Sequence, residues 1–181
     1  MSTCLNDVRL TKDPYPLHLD RFLNGVLIFL LIYSVFSWFS HRFVIGHDGQ
    51  KTQCLEGNHR WYLIDRGTHA LNPGDLVAYR SDARMAPEFP QGTLVVKRVE
   101  AVSGDAVDLE TQGLRIQGLM QSIRFPHRER LKDRAIPSGS RWIIPEGSVW
   151  VMGDHPRSFD SRYFGPIDER QIVGVAHALP F

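Results

Sequence analysis

Residues 22–39, FLNGVLIFLLIYSVFSWF, run for eighteen positions without a charge, and this stretch limits the architecture of the chain more than any other. As a helix it is about 27 Å long, close to the hydrocarbon thickness of a bilayer. It is longer than the apolar core of a cleavable signal, follows a 21-residue polar tail, and ends in SVFSWFS without a good small-x-small cleavage site. The expectation is one uncleaved transmembrane anchor over residues 22–40, preceded by a tail at 1–21. Arg9, Lys12 and Arg21 outnumber Arg42 and Lys51 across it, a bias that puts the tail in the cytoplasm and residues 43–181 on the far side.

That topology separates the two cysteines of the chain, Cys4 and Cys54. They cannot pair within one molecule, so a disulfide scaffold is excluded and Cys54 stands as a lone thiol. A buried, inert cysteine is an ordinary packing residue, whereas an unpaired one in an oxidising compartment is open to adventitious oxidation. Residue type alone leaves both readings open.

After the anchor, short apolar stretches recur between Gly, Pro and Asn/Asp punctuation: RWYLID (60–65), DLVAYR (75–80), TLVVKRVEAV (93–102), DAVDL (105–109), RWII (141–144), SVWVMGD (148–154) and QIVGVAHAL (171–179). Their length, their β-branched and aromatic content, and the turn signals NPGD, SGD and PEG between them read as strands. No stretch beyond the anchor holds a 3.6-residue period over a dozen positions, so the expectation is a mainly β domain. Residues 118–140 break the strand pattern and gather Arg124, Arg128, Arg130, Lys132 and Arg134 against Glu129 and Asp133, which reads as an excursion from the sheet. It is either a solvated loop or a contact for anionic lipid head groups. With a net charge of +1 and no aromatic stacking platform beside these cations, nucleic-acid binding is disfavoured.

The most specific local pattern is GDHPRSFDSRYFGPI, residues 153–167, directly after a strand-like stretch. There Asp160 and Arg162 can form a charge-assisted pair that fixes the loop, and Ser158 and Ser161 can orient a neighbouring polar group. The same pattern resembles the last motif of the type I signal peptidases, serine proteases of the membrane surface. Two further stretches resemble motifs of that family in the family's order. LNPGDLVAY, residues 71–79, is similar to its Gly-Asp strand, and VVKRVEAVSGD, residues 95–105, to its lysine strand, which puts the general base at Lys97.

The resemblance implies a coiled β-sheet or open-barrel domain behind one N-terminal transmembrane helix. It implies a single-pass protein of the bacterial inner membrane with its catalytic domain, residues 43–181, in the periplasm. It carries over Ser158 as the residue that orients Lys97, with Gly153, Asp154, Asp160, Ser161 and Arg162 supporting the site. His155 stands where an asparagine is common and reads as an exposed loop histidine. No cofactor is implied, and His41, His47, His59 and His69 match no zinc spacing, so no metal is expected.

The nucleophile is where the chain departs from the pattern. The housekeeping enzymes carry a Ser-x-Met-x-Pro segment, which is absent here. The TraF-type conjugative transfer peptidases, a branch that matures pilin subunits, have a looser Thr-x-Ser-x-Pro segment before a Tyr-bearing strand. KTQCLEGNHRWYLID, residues 51–65, resembles it with Thr52 at the threonine, Cys54 at the serine, Glu56 at the proline and Tyr62 in the strand. The only serines between the anchor and Lys97 are Ser40, at the membrane face, and Ser81, after the Gly-Asp strand, and neither fits the nucleophile position. A thiol ionises far more readily than a serine hydroxyl, so a cysteine there needs less help from its base. The backbone N–H of Cys54 is the oxyanion donor implied by the family.

The resemblance therefore implies a membrane-anchored endopeptidase that cleaves exported precursors, above all a conjugative pilin precursor, through a Cys54/Lys97 variant of the serine–lysine dyad. Because a thioester is open to attack by an amine, cyclisation of the pilin stands beside hydrolysis. Inner-membrane lipid and proteins of a conjugation apparatus are the implied partners. Two alternatives stay open: an inactive relative serving as a scaffold in a secretion machine, and a general type I signal peptidase.

Overall fold

A computed structural model of the chain describes residues 17–50, 53–57, 59–67, 70–111, 113–121 and 136–180. It divides into two compact units that meet between Ser40 and His41. The first is built on helix α1, Leu17–Arg42, which is roughly 39 Å long at 1.5 Å per residue. Phe22, Leu27, Phe29, Leu31, Phe36 and Trp38 are all exposed on it. A helix that is apolar all round has no face suited to water, and Leu19–Arg42 is long and apolar enough to cross a membrane.

The second unit is mainly β. In chain order its strands are β1 Phe43–His47, β2 Trp61–Asp65, β3 Leu76–Arg80, β4 Leu94–Ala101, β5 Ala106–Leu109, β6 Leu114–Ile116, β7 Leu119–Gln121, β8 Arg141–Ile143, β9 Ser148–Met152, β10 Ile167–Asp168 and β11 Ile172–Leu179. They form a seven-stranded sheet in the order β1-β2-β11-β3-β4-β9-β10 and a four-stranded sheet in the order β7-β6-β5-β8. Each neighbouring pair of these strands is antiparallel. The larger sheet curls on itself: three strands separate β1 from β4, yet the end of β1 and the first half of β4 border one cleft.

Each strand-like stretch of the sequence is a strand, within one or two residues at its ends. Four strands lie outside those stretches. β1 abuts the anchor, so its apolar residues read as a continuation of the span, while β6, β7 and β10 have two or three residues each, too few for a period to register. β7 also corrects the reading of 118–140 as an excursion throughout, because Leu119–Gln121 pair with β6. Residues 122–135, with Arg124, Arg128, Arg130, Lys132 and Arg134, lie outside the described residues, as do Cys4, Thr52 and His69.

Three apolar clusters hold the domain. Val77, Tyr79, Val95, Val99 and Val151 meet Phe159, Tyr163 and Phe164 from the chain that follows β9. Trp150 and Met152 pack with Val107, Leu109 and Leu114 of the smaller sheet. On the other side of the larger sheet, Leu55 joins Tyr62, Ile64, Ala78 and Ala176.

Candidate active site

β4 alternates as a half-buried strand should, with Val95, Lys97, Val99 and Ala101 buried and the residues between them part-exposed. Lys97 thus occupies a core position and is only 2% exposed. A polar group at such depth needs a hydrogen-bond partner. Strand register brings one to it: Arg98 pairs with Met152, so the backbone leaving β9 at Gly153 passes beside Lys97. The loop then returns the buried Ser158, whose Oγ accepts from Lys97 Nζ at 2.9 Å. Among the described residues this hydroxyl is the amine's one hydrogen-bond partner.

The loop is held from below by Asp160 and Arg162, both buried. Arg162 Nε donates to Asp160 Oδ1 at 2.7 Å and Nη2 to Oδ2 at 2.6 Å, a two-pronged pair, and Nη2 also donates to the Ser158 carbonyl at 3.1 Å. Asp160 accepts the Gly153 N–H as well, and it caps the one-turn helix Ser161–Phe164. Ser161 Oγ accepts the Val151 N–H at 3.0 Å, tying that helix back to β9. Burial pulls Arg162 toward neutrality, but the Asp160 carboxylate outweighs it and the guanidinium pKa is raised. Removing one partner of such a pair leaves the other charge buried and unmatched. Asp160→Ala is therefore expected to destabilise the domain by about 3 kcal/mol, read as a lower urea midpoint at an unchanged slope.

Cys54 lies in the segment between β1 and β2, and the next residue anchors it: Leu55 is buried against Tyr62 and Ile64. Burying a leucine contributes roughly 1.5–3 kcal/mol. Two contacts then fasten the segment to the loop after β9, and a third ties that loop to β4. The Cys54 carbonyl accepts the His155 N–H at 3.1 Å. The Glu56 N–H donates to Asp154 Oδ2 at 2.8 Å, and Arg98 Nε and Nη2 reach the same carboxylate at 3.1 Å each. Asp154 thus joins the residue after Lys97 to the residue two beyond Cys54. Proline, which has no N–H, would lose the Glu56 link.

Burial pushes the Asp154 carboxyl up, but its bonds to Arg98 and to the Glu56 N–H outweigh that and hold it below the ordinary carboxylate range. A lowered carboxylate stabilises the fold above its unfolded-state pKa, and the contribution is lost as the pH falls through the folded value. The clasp is thus intact at neutral pH and released only in acid.

Gly153 permits this close approach. A Cβ there would collide with Ser158 Oγ and lie 2.8 Å from Ser158 Cβ and 2.9 Å from the Cys54 carbonyl oxygen. His155 serves the site through its backbone, while its ring Nδ1 accepts the Arg157 N–H within its own loop at 3.1 Å. His59 Nδ1 sits 3.1 Å from the Leu179 carbonyl oxygen.

Cys54 and Lys97 line one cleft of ≈ 350 Å³ whose walls include Leu55, Phe89, Leu94 and Val96. The thiol is half-buried and unpaired, and its Sγ donates to Gln50 Oε1 at 3.6 Å. The arrangement puts a thiol and an amine on one apolar-walled cavity, the amine held by a buried hydroxyl on a braced loop. Such a set can do acyl-transfer chemistry. Sequence reasoning attached no role to Arg98, Gln50 or Leu55. The pattern at 94–101 did carry a signal for Lys97 independent of any family, since a lysine replaces an apolar residue in the core-facing row.

Residues 19–180 match the family model described as signal peptidase, peptidase S26. The chain is 26% identical over 171 residues to signal peptidase I V of Bacillus subtilis, covering 85% of this chain and 94% of that one. It is 31% identical over 127 residues to the plasmid transfer protein TraF of Escherichia coli, covering 62% of this chain and 68% of that one. Among solved structures, a signal peptidase I from Enterococcus faecalis aligns with a TM-score of 0.40 at 26% identity, over 60% of this chain and 98% of that one.

Proposed function

The chain belongs to the signal peptidase family, peptidase S26, and from that premise we propose that it cleaves a conjugative pilin precursor with Cys54 as nucleophile and Lys97 as base. The observation that carries the reading is the shared cleft, which Cys54 and Lys97 both line, with Ser158 Oγ 2.9 Å from the lysine amine. In this reading Lys97 takes the thiol proton as Sγ attacks the scissile carbonyl carbon. Among the described residues the Cys54 N–H donates to nothing, which leaves it available to the oxyanion. The C–N bond breaks as the proton passes to the leaving amine, and a thioester remains. Water then releases the carboxylate product, or the amine end of the same pilin displaces the thiolate and closes a ring.

Pilin as the client is supported by the likeness to the plasmid transfer protein TraF and by the absence of a Ser-x-Met-x-Pro segment. A general exported precursor is the competing client, supported by the likeness to signal peptidase I V. The apolar helix supports membrane anchoring, with the domain proposed on the periplasmic face. The test is processing by the purified full chain in lipid vesicles, with a plasmid-encoded pilin precursor and a general preprotein compared side by side. Pilin cleavage with the preprotein intact is the expected result, and equal cleavage of both would sink the narrow-client reading. A mature pilin one water heavier than the ring form would remove cyclisation.

A further inference from the structure

The cleft carries one carboxylate that the chemistry above leaves unused. Asp48 follows β1 directly and lines the same cavity as Cys54 and Lys97. Its backbone N–H donates to the Arg60 carbonyl at 2.8 Å, and its Oδ1 accepts the Gln50 N–H at 2.9 Å, so the residue is held in place from two sides. Oδ2 is left over: among the described residues no cation pairs with Asp48 and no further hydrogen bond reaches it. Around it the cavity is largely apolar. Among the described residues of the cavity wall the one lysine, Lys97, is buried and committed to Ser158, and the His47 ring packs on Trp61 with centroids 4.5 Å apart. The field of Asp48 is felt across the cavity. Burial raises the Tyr62 phenol pKa, and the Asp48 carboxylate adds to it, followed by Asp154 and Cys54.

We propose that Asp48 is a specificity-determining residue that selects precursors carrying a basic side chain close to the scissile bond. The inference rests on the peptidase reading of the cleft and names a chemistry for its substrate. A fixed carboxylate with a spare oxygen, with no mobile cation beside it among the described residues of the cavity wall, attracts an ammonium or guanidinium and repels a carboxylate. A partly exposed pair of this kind gives modest selectivity, so the lysine-to-glutamate ratio of kcat/KM is expected to be about tenfold.

The experiment uses the full chain in lipid vesicles and a set of precursors in which each position within three residues of the cleavage site carries Lys, Gln or Glu in turn. Wild type is expected to rank Lys over Gln over Glu at one position. Asp48→Asn, which retains an acceptor for the Gln50 N–H, is expected to flatten the ranking, and Asp48→Lys to invert it. Ratios within one variant cancel any uniform loss of activity, so a poorly folded variant does not mimic the result. Cleavage that depends on Cys54 but shows no charge preference, or a preference that survives Asp48→Asn, overturns this proposal alone. Cleavage that survives Cys54→Ala overturns the parent reading with it.

Discussion

Cys54→Ala is expected to lower precursor cleavage about 10⁴-fold in kcat/KM, equivalent to about 5.4 kcal/mol of lost transition-state stabilisation. The substitution removes the thiol and little else. Leu55 still fills its place in the apolar cluster, the position 54 carbonyl still accepts the His155 N–H, and the Glu56 N–H still reaches Asp154. The unfolding free energy from urea titration should therefore stay within about 0.5 kcal/mol of wild type, since no buried group loses a partner. Cys54→Ser is the sharper companion. It supplies the hydroxyl nucleophile that the resemblance to serine proteases implies, but a hydroxyl surrenders its proton far less readily and leans wholly on the lysine. It should keep measurable cleavage above the alanine variant. Undiminished cleavage by Cys54→Ala would end the assignment of the nucleophile.

The contrast between Lys97 and Cys54 shows how far a sequence of this kind can be read. β4 is eight residues long, enough for alternation to emerge, and its row of Val95, Lys97, Val99 and Ala101 faces the core. The motif after β9 is compact as well: Gly153, Ser158, Asp160, Ser161 and Arg162 span ten positions, and their bonds are mostly to one another or to β9. Proximity in sequence made that loop legible. The Cys54 segment is held by partners about a hundred residues away, Asp154 and His155, so nothing local announces its geometry. The link from Glu56 to Asp154 uses a backbone N–H, which every residue but proline possesses. Sequence therefore shows a missing proline at 56 and is silent about the bond that stands in its place. Asp48 was invisible for a related reason, because only the curl of the larger sheet brings the end of β1 to the same cavity as β4.

Lys97→Met is expected to cost about 10³-fold in kcat/KM at neutral pH, and the pH dependence of what remains separates two roles for the amine. Methionine fills much of the same volume in the core-facing row, so the packing of Val95 and Val99 survives while the donor to Ser158 disappears. If Lys97 acts chiefly as the base that takes the thiol proton, alkaline solution can replace it. An ordinary thiol ionises near pH 8.5, so the variant should regain activity as the pH rises through that range. If Lys97 instead rests as the cation of an ion pair and hands its proton to the leaving amine, raising the pH supplies no such acid, and the variant should stay flat. Lys97→Arg sharpens the choice, because a guanidinium keeps its charge and cannot serve as the base. A base role predicts that the arginine variant is as poor as the methionine one at neutral pH and that alkali rescues both, because the thiol then ionises without a base. Cleavage at the wild-type rate by Lys97→Met, with the thiol intact, would remove the dyad.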